Sequence, residues 1–148
     1  MGSCSLPLKE IIVARFEAME DLLLSIKQVV TEYDVKAGMF TVIGAVDKVQ
    51  YGFYIPQKKA YTTHVWEPSK QSSPALEILN CTGNVAILDN EPIVHAHIIL
   101  SGVNGEMLGG HLMEGCRVNP TGELTLIKAE GVLHRKYNDI FKLAFLSI

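Results

Sequence analysis

The stretch that most constrains the fold is Val94 to His111, Val-His-Ala-His-Ile-Ile-Leu-Ser-Gly-Val-Asn-Gly-Glu-Met-Leu-Gly-Gly-His. Ile93 to Leu100 is rich in β-branched and apolar residues, Ser101 to Gly105 carries turn chemistry, and Met107 to Met113 returns, so the pattern predicts a β-hairpin. His95 and His97 are two apart, which places both imidazoles on one face of a strand. A loop with an odd number of residues centred on Asn104 sets His111 directly opposite His97 and diagonal to His95. Opposed Cβ atoms lie roughly 4.5–5.5 Å apart and diagonal ones roughly 7–8 Å, which lets three imidazoles converge on one ion. An even-numbered loop turns His111 to the other face.

Three histidines without a fourth protein ligand leave a metal coordination position open for water or substrate. The plainer reading of His95 and His97 is two strand histidines with hydrogen-bonded partners. Cys116 lies nearby in sequence but belongs to no C-x-x-C pair. Gly109-Gly110, just before His111, marks a bulge or a place where something approaches the backbone closely.

The chain has 148 residues, which suits one domain, and 48% hydrophobic content supports a sizeable core. No apolar run approaches the roughly 20 residues of a membrane-spanning helix. The amino terminus lacks the basic start and apolar centre of a signal peptide, and Leu6 stands where a myristoylation pattern needs Ser or Thr. Cys4, Cys81 and Cys116 are odd in number and scattered, which predicts reduced thiols and a cytoplasmic protein. A formal charge of −3 gives no overall attraction for nucleic acid. Mean hydropathy of +0.20 is high for a soluble monomer and points to an apolar subunit interface.

In chain order, Lys9 to Arg15 reads as a strand and Glu17 to Tyr33 as the one clear helix. Met19, Leu22, Leu23, Ile26, Val29, Val30 and Tyr33 form its apolar face. Glu17, Glu20 and Asp21 fall in its first turns, and the helix is expected to end before Ala37-Gly38, with Gly38 available for a left-handed conformation. Strands follow over Phe40 to Val46 and Val49 to Ile55, separated by a turn at Asp47-Lys48. Pro56-Gln57 turns the chain again before a strand over Lys58 to Trp66. Glu67 to Pro74 is the most loop-like segment. Leu76 to Cys81, Asn84 to Leu88, Ile93 to Leu100, Glu106 to Leu112 and Glu123 to Glu130 are short strands, with a strong turn at Asp89 to Pro92. In the tail, His134-Arg135-Lys136 reads as a surface turn, and Phe141 to Ile148 as a short helix or a final strand. One helix among many strands predicts an α+β domain with a largely antiparallel sheet.

Three segments together resemble one family. Glu77 to Val85 (Glu-Ile-Leu-Asn-Cys-Thr-Gly-Asn-Val), His95-Ala96-His97, and Gly109 to Val118 (Gly-Gly-His-Leu-Met-Glu-Gly-Cys-Arg-Val) look like the PPC domain, plants and prokaryotes conserved. The strand ending at Arg15, the helix after it, Gly38 and Ile43 to Val46 fall where that family has them. The resemblance covers nearly the whole chain, 1–148, as a single domain with a core of about 8–130 and a tail of 131–148. It implies an antiparallel sheet with one main flanking helix, assembled as a homotrimer, and a fold similar to that of acetolactate decarboxylase. It also implies His95, His97 and His111 as ligands of zinc or another divalent transition metal. Plant members carry AT-hooks, but no Arg-Gly-Arg-Pro core occurs here, so contact with DNA would fall to the domain itself or to a partner protein.

Other residues are weaker candidates. Glu77 opens a strand that the resemblance places beside the hairpin, and would act as an acid/base or hold a ligand imidazole. Arg15 would hold a substrate carboxylate, although a plain salt bridge is the simpler role. His64, His134 and the short basic clusters Lys58-Lys59 and His134-Arg135-Lys136 read as solvated or packed residues, and Cys116 as a core thiol. No dinucleotide fingerprint, P-loop or nucleophile elbow occurs. Two functions follow: a DNA-binding or regulatory assembly module with a three-histidine metal site, and alternatively a lyase- or hydrolase-like metal enzyme on a small oxo- or hydroxy-acid. In the second, Glu77 and Arg15 handle protons and charge.

Overall fold

A computed structural model of the chain describes residues 2–69 and 73–148. Twelve elements follow in order: β1 (Leu8–Glu17), α1 (Leu22–Glu32), β2 (Gly38–Gly52), β3 (Tyr54–Ile55), β4 (Ala60–Tyr61), β5 (His64–Trp66), β6 (Leu76–Leu88), β7 (Glu91–Ser101), β8 (Met107–Leu112), β9 (Arg117–Ala129), β10 (His134–Asn138) and β11 (Leu143–Ser147). Nine strands form one sheet in the order β1-β9-β2-β8-β7-β6-β10-β11, with β5 on β2, and β3–β4 form a separate ribbon. Among the described residues every strand pairing is antiparallel except a single parallel contact between β10 and β6. The expected α+β class with one flanking helix is the architecture observed.

One strand bends the sheet upon itself. The pairing of β2 runs with β6 from Gly38 to Val46, then passes to β8 at Tyr51 and Gly52, so β2, β8, β7 and β6 close into a ring. The turn expected at Asp47-Lys48 is absent because β9 pairs with β2 on both sides of it, at Val46 and Lys48. The register shifts at Gly44, and again between Val46 and Lys48, where Asp47 forms an irregularity within the strand rather than a turn. Gly44 has φ +128°, and a Cβ there would stand 2.3 Å from the Thr121 carbonyl oxygen. The break expected between Cys81 and Asn84 is absent too, since Thr82 and Gly83 pair with β2 and β7 alike.

The helix begins later than its periodicity suggests. Glu17 is still paired with Thr121 in β9, Met19 has φ +79° and is 67% exposed, and Asp21 is the N-cap, accepting from the Leu24 N–H at 3.0 Å. Sheet pairing thus claims the first turn that the sequence offered to the helix, and no carboxylate lies in the first turn. At the other end Asp34, not Gly38, takes the left-handed conformation (φ +47°), and Gly38 opens β2. Leu22, Leu23, Ile26, Val29 and Val30 are buried as expected, packing in one cluster with Ile12, Phe16, Ile98, Leu100, Val118 and Leu126. Full burial of each such side chain contributes about 1.5–3 kcal/mol, against which chain entropy works.

The expected strand over Lys58 to Trp66 is broken into β4 and β5 by Thr62-Thr63, and the strand over Glu123 to Glu130 begins earlier, at Arg117. Part of the loop expected over Glu67 to Pro74 lies outside the described residues, at 70–72. The tail forms the β10–β11 hairpin, so His134-Arg135-Lys136 is a strand rather than a surface turn, and the final segment is a strand rather than a helix. Among the described residues no helix is long and apolar enough to cross a membrane.

Gly44→Ala is expected to lower stability by about 1–3 kcal/mol, because the backbone there is one that L side chains rarely adopt. Chemical denaturation of the two proteins measures this; an unchanged midpoint would show that β2 relaxes at no cost.

Candidate metal centre

Two successive turns bring the three histidines together. Asp89 and Asn90, both with positive φ (+52° and +69°), link β6 to β7 and pair Leu88 with Glu91, which in turn sets Asn84 opposite His95 and Thr82 opposite His97. A five-residue loop, 102–106, then links β7 to β8 and pairs Ser101 with Met107. The odd loop sets His97 opposite His111, the register that convergence requires. The loop is held internally by the Gly102 N–H on the Glu106 carbonyl at 2.9 Å and by the Asn104 N–H on the Glu106 carboxylate at 3.0 Å. Ser73 ties it to the rest of the chain, its Oγ accepting from the Val103 N–H at 2.8 Å. The close approach anticipated at Gly109-Gly110 is the neighbouring strand: a Cβ on Gly109 would lie 2.1 Å from the Ile98 carbonyl oxygen.

Ala96 and Ile98 face the core, so His95 and His97 face the opposite side of β7. One ring nitrogen from each of His95, His97 and His111 lies within 4.8 Å of the others. The ring centroids are 5.2 Å apart for His95–His97, 5.1 Å for His95–His111 and 5.8 Å for His97–His111. The Nδ1 of His111 is buried without a hydrogen-bond partner. Burial, then the charges that His111, Arg135 and His97 can carry, push the His95 imidazole down to about 4, and burial with His97 lowers His111. Two of the three rings are therefore held neutral, the form that donates a lone pair to a metal. This donor set fits a borderline-soft divalent ion.

The tail supplies what sequence reasoning missed. Arg135, on β10, is 9% exposed and reaches over the cluster. It donates from Nη1 to the Ala144 carbonyl at 2.8 Å and from Nη2 to Asn84 Oδ1 at 2.7 Å, and Nη2 lies 3.3 Å from His95 Nδ1. An arginine N–H only donates, so in the metal-free chain this last contact takes the single lone pair of the neutral ring, and a metal ligated by His95 displaces it. Tyr61, from β4, lies over His111 with ring centroids 4.6 Å apart, and burial raises its phenol above the usual range. These groups, with Ile93, Val94 and the β11 side chains, line an open pocket of about 530 Å³. Arg135 was visible in sequence only as the middle of the basic run His134-Arg135-Lys136; its pairing was not legible.

The other candidates are placed elsewhere. Glu77 pairs with Ser101, four residues beyond His97 on β7 and so about 13 Å along the strand. Arg15 lies on β1, opposite Glu123, and forms an exposed ion pair with Glu17. Neither is brought to the histidines within one chain. His64 stacks on Tyr51 at 5.4 Å and meets Thr62 Oγ1 at 3.1 Å, while His134 is exposed on β10. Cys116 is a core thiol as expected, fully buried against Gln50 and pushed up to about 11 by burial.

Residues 6–130 match the model of the Plants and Prokaryotes Conserved (PCC) domain. No curated protein sequence matches the chain. The structure is similar to that of AF0104 from Archaeoglobus fulgidus, a metal-containing protein, with 26% identity, a TM-score of 0.87 and 100% of both chains covered. A candidate DNA-binding protein from Bacteroides thetaiotaomicron is 21% identical, with a TM-score of 0.85 and 96% of both chains covered. α-Acetolactate decarboxylase from Bacillus subtilis shares the fold at 11% identity and a TM-score of 0.54, over 90% of this chain and 59% of that one. The expected likeness to that decarboxylase is thus observed at the level of fold.

In metal-free protein, His95 is expected to stay neutral until the pH approaches about 4, against an ordinary value near 6.5. The unfolded chain takes up that proton first, so stability falls as the pH drops from about 6.5 toward about 4. Histidine ring resonances followed by NMR, with urea midpoints at pH 7 and pH 4.5, check both; a His95 titration near 6.5 would show the pocket to be wetter than its geometry.

Proposed function

The chain belongs to the Plants and Prokaryotes Conserved (PCC) domain family, and on that premise we propose that it is a metal-binding member. In this reading His95, His97 and His111 hold one divalent transition ion, zinc first, and leave a coordination position for a small molecule in the adjoining pocket. The observation that carries it is the convergence of three ring nitrogens within 4.8 Å with no carboxylate or thiol in the group. The resemblance to a metal-containing protein at 26% identity supports it. A bound ion supplies Lewis acidity toward a carbonyl or hydroxyl oxygen of the ligand. The chain's own part is to keep His95 and His111 neutral and to wall one side of the pocket with Tyr61 and the tail hairpin. This favours the enzyme reading, with a small oxo- or hydroxy-acid as ligand. Glu77 and Arg15 enter it only if a neighbouring copy supplies them.

Self-association belongs to the same proposal. Ile11, Ile127, Met39, Asn84 and His95 are laterally paired across β1, β9, β2, β6 and β7, so all five share one sheet face. Ile11 and Met39 are 60% and 56% exposed, and Ile43, Leu79, Ile99 and Met107 are exposed large side chains as well. Such an apolar surface supports a homotrimer, in which a second copy would lie close to the histidines. A DNA-binding role has thinner support: the formal charge is −3, and the basic cluster His134-Arg135-Lys136 loses Arg135 to the interior.

Elemental analysis of wild type beside His97→Ala tests the metal. About one ion per chain is expected in wild type and none in the variant, while no metal in either after reconstitution would overturn the reading. Light scattering should give three times the chain mass, and a monomer would remove the trimer. Titration with duplex DNA should show no binding that steepens as salt is lowered.

A further inference from the structure

The Arg135 guanidinium is buried among neutral groups. Its acceptors are a carbonyl (Ala144), an amide oxygen (Asn84) and an imidazole nitrogen (His95), and its Nε–H has none. Among the described residues no ion pair includes it, and no aspartate or glutamate lines the pocket that it borders. Burying a cation with no counter-charge is unfavourable, and natural proteins ordinarily pair such a group. The three imidazoles are neutral donors, so an ion held by them adds positive charge to the same pocket without cancelling any. The missing component is an anion.

We infer that Arg135 anchors the carboxylate of a small organic acid whose other end reaches the three-histidine centre. Nη1 keeps one N–H beyond its bond to Ala144, and Nη2 regains one when His95 turns its lone pair to a metal, so the two together can meet a carboxylate. The adjacent Ile93, Val94 and Phe145 suit a short hydrocarbon body, and about 530 Å³ holds a molecule of that size. Arg135 lies outside residues 6–130, the part that the family model matches, so the anchor is a property of this chain's tail. Nη2 is 3.3 Å from His95 Nδ1, so an anion on Arg135 is next to the ligands, and one small molecule spans both. The position at the metal rests on the metal reading above; the anion site rests on Arg135 itself.

The test is calorimetric titration of metal-loaded and metal-stripped protein with 2-hydroxyisobutyrate, its neutral amide and inorganic phosphate, with metal content measured in parallel. The acid is expected to bind wild type, and to bind Arg135→Gln about 10–100-fold more weakly at unchanged metal content, the loss that follows from a charged hydrogen-bonded contact. Equal binding of acid and amide, or acid binding indifferent to Arg135→Gln, would overturn the inference while leaving the metal reading intact. Phosphate binding as tightly as the acid would replace the carboxylate class with an inorganic oxyanion. If no metal is ever retained, the metal reading fails by itself, and Arg135-dependent binding to the stripped protein still decides for or against the anchor. Since Arg135 also tethers Ala144 and Asn84, a second variant guards against misfolding. Asn84→Asp sets a carboxylate beside the guanidinium and should abolish acid binding in a folded protein; binding retained there would count against the anchor.

Discussion

The pairing of His97 with His111 across β7 and β8 is the contact on which the candidate site depends. A strand alternates sides with every residue, so a shift of one position would send His111 to the other face and separate it from His95 and His97. The five-residue loop prevents that, and Ser73, from a distant part of the chain, holds the loop in shape. Closure of β2 onto both β6 and β8 then encloses the hairpin in a ring of strands, so the register cannot slip without breaking pairings on two sides.

The charge of the site follows from what surrounds it. Two imidazoles are held neutral by burial and by one another, and the nearest permanent charge is a guanidinium with only neutral acceptors. Structural metal sites usually close with four protein ligands, often anionic ones. Among the described residues the donors are three and uncharged, the cation alongside has no ion-pair partner, and no acid lines the pocket. That combination suits a site built to receive an anion rather than one built to brace the fold.

How legible the chain is depends on the range of the interaction that decides each element. The buried face of α1, Leu22 to Val30, and the His97–His111 register follow from periodicity and loop parity, which are local. The start of α1 does not, because β9 competes for Glu17 and Met19 through hydrogen bonds from residues about a hundred positions away. Asp47-Lys48 has turn chemistry in sequence and strand geometry in the fold for the same reason. Arg135 is the sharpest case. In sequence it sits between His134 and Lys136 and resembles a solvated basic turn; in the fold it is 9% exposed, since β10 pairs beside β6 and lays the arginine over Asn84 and His95.

By itself the sequence determined a one-helix antiparallel domain, a β-hairpin with two histidines on one face, a third histidine in reach, and membership of a family through motifs at fixed spacing. These depend on alternation, helical period and turn chemistry, which act over a few residues. Only the tertiary structure decided that Glu77 and Arg15 lie away from the cluster and that Tyr61 and Arg135 lie against it. Contacts between strands far apart in the chain are set by which surfaces can be buried together, and that choice belongs to the whole sheet rather than to any one segment.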